Sequence, residues 1–177
     1  MITYRPATSA EASAVLAFWA TAAEDADRPP DSPDALLRLI ARDPEALILA
    51  LDNNSTADGS EEGNGEGKGD GDGDGNGNGN GNGNGNGNGN GNGLIVGSII
   101  VGWDGWRCHL YRLAVAPTHR RRGIARTLIS LAEQRFTTYG STRADAMVLD
   151  SNTTAHPTWQ TAGYTPQPNW SRWVKPL

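Results

Sequence analysis

From residue 63 to residue 93 every second residue is glycine, and those between are Asn, Asp, Glu or Lys. Across residues 53–93 no side chain is more apolar than that of Ala57. Such a tract has nothing to bury and maximal backbone entropy to lose, so it is expected to stay disordered and to leave core building to the remainder. Both flanks read as buried strands: Ala46-Leu47-Ile48-Leu49-Ala50-Leu51 before it and Leu94-Ile95-Val96-Gly97-Ser98-Ile99-Ile100-Val101 after it. The tract therefore occupies the place of a hairpin turn. Closing a loop of this length rather than one of a few residues costs only about 2 kcal/mol, so a single domain over residues 1–177, interrupted at 53–93, can carry it. Its removal is expected to leave any catalysis nearly unchanged.

The tract also distorts the charge. The whole chain has a formal net charge of −5, but seven acidic residues against Lys68 lie in residues 53–93, so the remainder stands at +1. A nearly neutral folded part argues against a general nucleic-acid binder, which needs a basic excess matched to its phosphate contacts. Cys108 is the only cysteine, which excludes an intramolecular disulfide and makes a cysteine-based zinc site a poor fit; no metal is expected. No apolar stretch approaches the length of a membrane span, and Met1-Ile2-Thr3-Tyr4-Arg5-Pro6 does not lead from basic to apolar residues. A cytoplasmic protein without membrane or nucleic-acid partners, monomeric or homodimeric, is the expectation.

Outside the tract the pattern alternates between strand and helix. Residues 2–5 read as a strand, and a helix follows with Thr8 or Ser9 as cap, Glu11 in its first turn and Val15, Leu16, Phe18 and Trp19 as its apolar stripe. A second helix covers residues 34–42 with Leu36, Leu37 and Ile40 inward. Asp104-Gly105 between Trp103 and Trp106 predicts a two-residue hairpin, with the returning strand over residues 107–116. Pro117 ends that strand, and a helix is expected from about residue 121 to 139. A strand over 143–149, a short helix over 153–162 and two closing strands around Pro166 and Pro168 complete the order. The class is α/β (α+β): a mixed, mostly antiparallel sheet with about four helices and one crossover helix beside the central strand.

One junction carries the chemical signal. A strand, Pro117, then Arg120-Arg121-Arg122-Gly123-Ile124-Ala125-Arg126 opening a helix is what a pyrophosphate site requires. First-turn N–H groups and the helix dipole favour an anion, Gly123 permits close approach of backbone, Ala125 leaves room, and arginines pair with phosphate oxygens. A solvated basic helix start would present the same residues.

Leu110-Tyr111-Arg112-Leu113-Ala114-Val115-Ala116-Pro117 followed by Arg-x-x-Gly-x-Ala resembles the signature of the GNAT superfamily of N-acetyltransferases. The element order resembles that fold too. The resemblance implies acetyl-CoA as co-substrate, with its pyrophosphate on backbone amides of residues 121–126. It also implies that Leu113, Ala114 and Val115 run beside the pantetheine arm, with Leu113 and Val115 pairing it as an added strand. An amide near Leu113, at the bulge the family places in this strand, would polarise the thioester. Asn152 matches an asparagine many members use near the pantetheine; its plainer role is a helix cap.

The acceptor implied is a primary amine of a small molecule or peptide, and an alkyl amine must lose a proton before it attacks. His109 is the candidate base, since imidazole titrates near neutral pH. Strand alternation puts His109 and Tyr111 on one face with Leu113. The segment is similar to the strand where arylalkylamine N-acetyltransferases relay the proton through water from two histidines, here His109 and Tyr111. A half-buried strand histidine with a backbone partner is the plain alternative. Where many members place a tyrosine as general acid, this chain has Trp159, whose indole cannot release a proton. The thiolate then leaves unprotonated, or Tyr111 serves. Glu24, Asp25, Asp27 and Asp31 suggest an acidic acceptor loop, with Trp170 and Trp173 as a facing wall; a solvated loop and core tryptophans explain them as well. A non-catalytic acyl-CoA-binding or sensing protein on the same fold is the alternative function.

Two further patterns lead nowhere. Asp70-Gly71-Asp72-Gly73-Asp74-Gly75 copies half of a calcium loop, but Gly81 stands where the closing glutamate belongs. Cys108 falls on the opposite strand face from His109 and forms no nucleophile pair with it.

Overall fold

The computed structural model describes residues 1–22, 31–54, 93–169, 171 and 173–175. Strands β1 (Ile2–Pro6), β2 (Leu47–Asp52), β3 (Leu94–Trp103), β4 (Cys108–Val115) and β5 (Ala144–Ala146) form a five-stranded sheet in chain order. The first three junctions are antiparallel, and β4 and β5 run parallel. A parallel neighbour needs a crossover, and α3 (Ile124–Thr138) provides it. Helices α1 (Ala12–Ala22) and α2 (Pro33–Arg42) pack on one face, α3 and α4 (His156–Thr161) on the other.

Strand β2 shows why its sequence is continuously apolar. Leu47, Leu49 and Leu51 join the cluster under α1 and α2, while Ile48 and Ala50 join the cluster under α3, so both faces are covered. The helix starts follow from capping chemistry. The Thr8 backbone N–H and hydroxyl both donate to Glu11 Oε2 at 2.9 Å, and Arg5 binds the same carboxylate. Ser32 accepts from the Ala35 N–H at 3.1 Å, with Pro33 in the first position of α2. Leu36 and Ile40 are buried as expected, but Leu37 stands 39 % exposed; Leu39 packs inward in its place.

Four expectations need correction. The β3–β4 turn is centred one residue later than expected: Trp103 pairs with Cys108, the Asp104 N–H donates to the Arg107 carbonyl at 3.3 Å, and Asp104 Oδ1 accepts from the Trp106 and Arg107 N–H at 2.8 and 2.6 Å. The carboxylate makes Asp104 the first residue of an Asx-type turn around Gly105 and Trp106, which takes it out of the turn centre. Helix α3 begins at Ile124 rather than near residue 121, because Arg121 and Gly123 adopt left-handed backbone at φ 62 and 79. No strand occurs among the described residues after Tyr164, where two closing strands were expected. Pro166 and Pro168 each withdraw an N–H from any ladder there. Similarly, β5 is confined to Ala144–Ala146 within the expected 143–149. The Gly-rich tract, apart from its ends, and the calcium-like run lie outside the described residues. Among the described residues no helix is long and apolar enough to cross a membrane.

Candidate active site

Strands β4 and β5 stay paired for only three residues, ending at Leu110 opposite Ala146. Beyond that point they part. A cleft of about 1020 Å³ opens between them, with residues 111–115 on one wall and Met147, Val148 and Leu149 on the other. Arg120, Arg121, Gly123, Ile124, Ala125 and Arg126 line one end, and Asn152 and Trp159 also face it.

The parting coincides with a bulge in β4. Ser98 pairs with Ala114 and Ile100 with Tyr111, so Arg112 and Leu113 together oppose Ile99. Arg112 has φ 52, a left-handed conformation that costs a non-glycine residue roughly 1–2 kcal/mol. Its partners offset that strain. The Ser98 hydroxyl donates to the Arg112 carbonyl at 3.0 Å and accepts from Trp19 Nε1 at 2.8 Å. Arg112 Nε donates to Asp31 Oδ1 at 2.9 Å, and its guanidinium lies 5.7 Å from the centroid of the Trp19 ring. Asp31, one of the four residues of the expected acidic loop, is therefore ion-paired with Arg112.

The extra residue also reverses the face assignment made by simple alternation. Leu113 and Val115 pack toward the α3 cluster, whereas Tyr111 lies over Gly102 and Ala114 joins the α1 cluster. His109 and Tyr111 thus share a face with each other, their ring centroids 6.0 Å apart, but not with Leu113. A one-residue slip exchanges the two faces of everything beyond it.

Backbone direction along the bulged strand sets what the cleft receives. The Ala116 N–H donates to Val96 at 2.9 Å, toward β3, so the peptide groups of Val115 and Leu113 project from the opposite edge. Val115 already shows this: its carbonyl accepts from Arg120 Nε at 3.3 Å. At the end of the cleft the first helical bond of α3 is Thr127 N–H to Gly123, at 3.0 Å. The N–H groups of Ile124, Ala125 and Arg126 consequently have no partner within the helix, and they sit at its positive end. A Cβ added at Gly123 would meet nothing within 4 Å, so space lies open beside the turn. Arg122 is exposed and, alone among residues 120–126, is absent from the cleft lining.

Tyr111 lines the cleft and is 44 % exposed. His109 sits one step back, outside the lining, with Nδ1 4.0 Å from Asp145 Oδ2 across the β4–β5 pair. Asn152 Oδ1 accepts from the Ala155 N–H at 3.3 Å and the Thr154 hydroxyl at 2.9 Å, closing the turn before α4, whose N-cap is Ala155, and Asn152 also faces the cleft. Trp159 is buried and meets Tyr164 edge to face at 5.1 Å between centroids. Tyr164 is no replacement acid, because burial above all, and then the nearby Glu133 carboxylate, raise its phenol well above the usual range. Trp173 is 93 % exposed and lines no wall; Trp170, Glu24, Asp25 and Asp27 lie outside the described residues. Cys108 is buried under α3, on the face opposite His109.

Sequence reading missed the contacts that fix this geometry. His119 is buried, with Nε2 3.2 Å from Asp52 Oδ2 and Nδ1 2.9 Å from the Thr118 hydroxyl. Asp52 also takes the N-terminal ammonium at 3.2 Å. The Asn54 N–H first, then that ammonium and His119, hold the Asp52 carboxyl down at about 2. This cluster ties the turn before Arg120 to the end of β2. Nothing local in the sequence marks residues 52 and 119 as partners, nor 19 and 98.

Comparison with known proteins agrees with the geometry. Residues 85–164 match the model of the Acetyltransferase (GNAT) family. An acetyltransferase of Pectobacterium atrosepticum is 44 % identical over 58 residues, covering 33 % of this chain and 41 % of the relative. One of Sodalis glossinidius is 43 % identical over the same shares. The chain thus spans about two fifths of the length of these curated relatives. Among solved structures, the aminoglycoside 6'-N-acetyltransferase AAC(6')-Ih of Acinetobacter baumannii superposes with a TM-score of 0.60 at 14 % identity, covering 100 % of this chain and 99 % of that one. Ard1 of Thermoplasma volcanium gives 0.60 at 14 % identity, over 93 % of this chain and 82 % of that one. At such identity the likeness concerns the fold.

Proposed function

We propose that this chain, whose residues 85–164 belong to the GNAT acetyltransferase family, transfers an acetyl group from acetyl-CoA to a primary amine of a small molecule or peptide. The observation that carries this reading is the parting of β4 from β5 just where β4 bulges. A strand edge left open over residues 111–115 suits an extended amide-bearing arm, and Leu113 and Val115 present the peptide groups that would pair with it. The N–H groups of residues 124–126, with the open space beside Gly123, suit a pyrophosphate at the helix start. Arg120, Arg121 and Arg126 would add charge there, and Ile124 and Ala125 the close backbone approach. Ala114 and Asn152 would flank the arm.

Acyl transfer then needs three things from the protein: orientation, a polarised thioester and a destination for the amine proton. Orientation comes from the two walls of the cleft. Polarisation falls to the Leu113 N–H at the bulge, aimed where the carbonyl oxygen gains charge. The proton passes from the attacking amine through water to His109, beside Tyr111, and Asp145 at 4.0 Å stabilises the imidazolium that results. Expulsion of CoA thiolate needs little assistance, since a thiol is acidic enough to leave. Tyr111 lines the cleft beside His109 and offers a phenol to the departing thiolate, whereas Trp159 supplies packing only.

The test is a screen of acetyl-CoA against amines, peptides and aminoglycosides, read as released thiol, alongside a direct binding titration. Saturable binding with amine-dependent thiol release supports transfer. Binding without release from any amine would instead favour an acyl-CoA sensor, and no binding would defeat both readings.

A further inference from the structure

We propose that Ser98 is a positioning residue for acyl transfer, gripping the carbonyl of the bulged residue Arg112 and thereby aiming the Leu113 N–H into the cleft. The inference rests on the acyl-transfer reading, because it assigns a function to that amide. Its geometry is independent of it. The Arg112 carbonyl and the Leu113 N–H belong to one peptide unit, which is planar and trans, so the two groups point in opposite directions. The Ser98 hydroxyl donates to that carbonyl at 3.0 Å, from the β3 side. The Leu113 N–H is thus turned away from β3, toward the edge that β5 leaves open.

Ser98 is fully buried and is itself oriented by Trp19 Nε1 at 2.8 Å. One hydroxyl therefore spans helix α1, strand β3 and the bulge of β4. The side-chain pair with Asp31 holds the guanidinium, several bonds away from that peptide plane, whereas the Ser98 hydroxyl acts on the plane itself. Because the interaction acts on a direction and not on binding area, its loss should appear in turnover and leave affinity nearly intact.

The experiment avoids an orphaned indole by comparing Trp19→Phe with the double variant Trp19→Phe, Ser98→Ala. Trp19→Phe keeps the Ser98 bond to Arg112. It should retain acetyl-CoA affinity, and the infrared stretch of the bound thioester carbonyl should stay shifted to lower frequency. The double variant should keep the affinity within about twofold and lose most of that shift. Its kcat should fall roughly tenfold to a hundredfold, the range expected when a polarising donor is misaimed. A ligand-free structure of the double variant should show Arg112 leaving the left-handed region. Retention of φ near the observed 52 together with an unchanged carbonyl stretch and kcat would overturn the proposal. If the wild-type protein binds no acetyl-CoA, the catalytic part falls with the acyl-transfer reading, and the ligand-free structure alone decides whether Ser98 holds the bulge.

Discussion

Gly97 lies on β3 beneath the start of α3, and replacing it with alanine tests how closely that helix must approach the sheet. The added Cβ would stand 2.9 Å from Ile124 Cγ2 and 3.2 Å from both Ala50 Cβ and Leu128 Cδ1. Apolar carbons prefer roughly 3.5–4.0 Å, so Ile124 has to recede by about 0.6 Å or more. Ala50, Ile124 and Leu128 are all buried, which leaves no solvent-facing route for relief. Overpacking of this kind costs about 1–3 kcal/mol. The displacement also has a functional consequence, because Ile124 is the first residue of α3 and its N–H is one of those offered to the pyrophosphate. Urea unfolding should show the stability loss, and calorimetric titration with acetyl-CoA should show affinity weakened by about tenfold, or 1.4 kcal/mol. Gly140→Ala is the control. Gly140 lies just past the far end of α3 at φ 72 with open space around it, so its substitution should cost stability through backbone strain without altering affinity. If Gly97→Ala left both stability and affinity unchanged, close seating of α3 would not be what shapes the turn.

Gly123→Ala should behave differently, because its Cβ meets no neighbour: the cost is left-handed backbone strain of about 1 kcal/mol, seen as a small drop in melting temperature with weaker acetyl-CoA binding. His109→Ala should lower the transfer rate without weakening acetyl-CoA binding, and an unaltered rate would remove His109 from the mechanism. Acid should destabilise the fold through Glu11, whose carboxyl is held at about 2 chiefly by the Arg5 hydrogen bonds. Its folded pKa lies below the unfolded value, so its contribution is complete above about pH 4.5 and is lost as pH falls toward 2. About 2 kcal/mol is at stake after allowing for the partial exposure of Arg5, and Glu11→Gln should flatten denaturation midpoints over that window.

Much of this architecture is visible in residue patterns because it is local. Thr8 and Glu11 announce a helix start, Pro117 ends a strand, and the apolar runs on either side of the Gly-rich tract mark β2 and β3. The turn at Arg120 to Ala125 stood out for the same reason, as a run of consecutive residues, and all of it but Arg122 lines one end of the cleft. What escaped was set by the third dimension. Alternation assigned His109, Tyr111 and Leu113 to one face, and a single inserted residue at Arg112 undid that; the left-handed arginine has no local sequence signal comparable to a glycine. Ser98 and Trp19 meet across 79 positions, and His119 meets Asp52 across 67, so neither pair could be inferred from spacing. The two closing strands have no counterpart among the described residues, where Pro166 and Pro168 had already given warning.

The central claim is that the opening between β4 and β5 receives acetyl-CoA. A structure of the protein with acetyl-CoA bound tests it most directly. The account predicts the pantetheine arm hydrogen-bonded to backbone of Leu113 and Val115, with the pyrophosphate on the N–H groups at the start of α3. Acetyl-CoA bound elsewhere, or failing to bind at millimolar concentration, would contradict it.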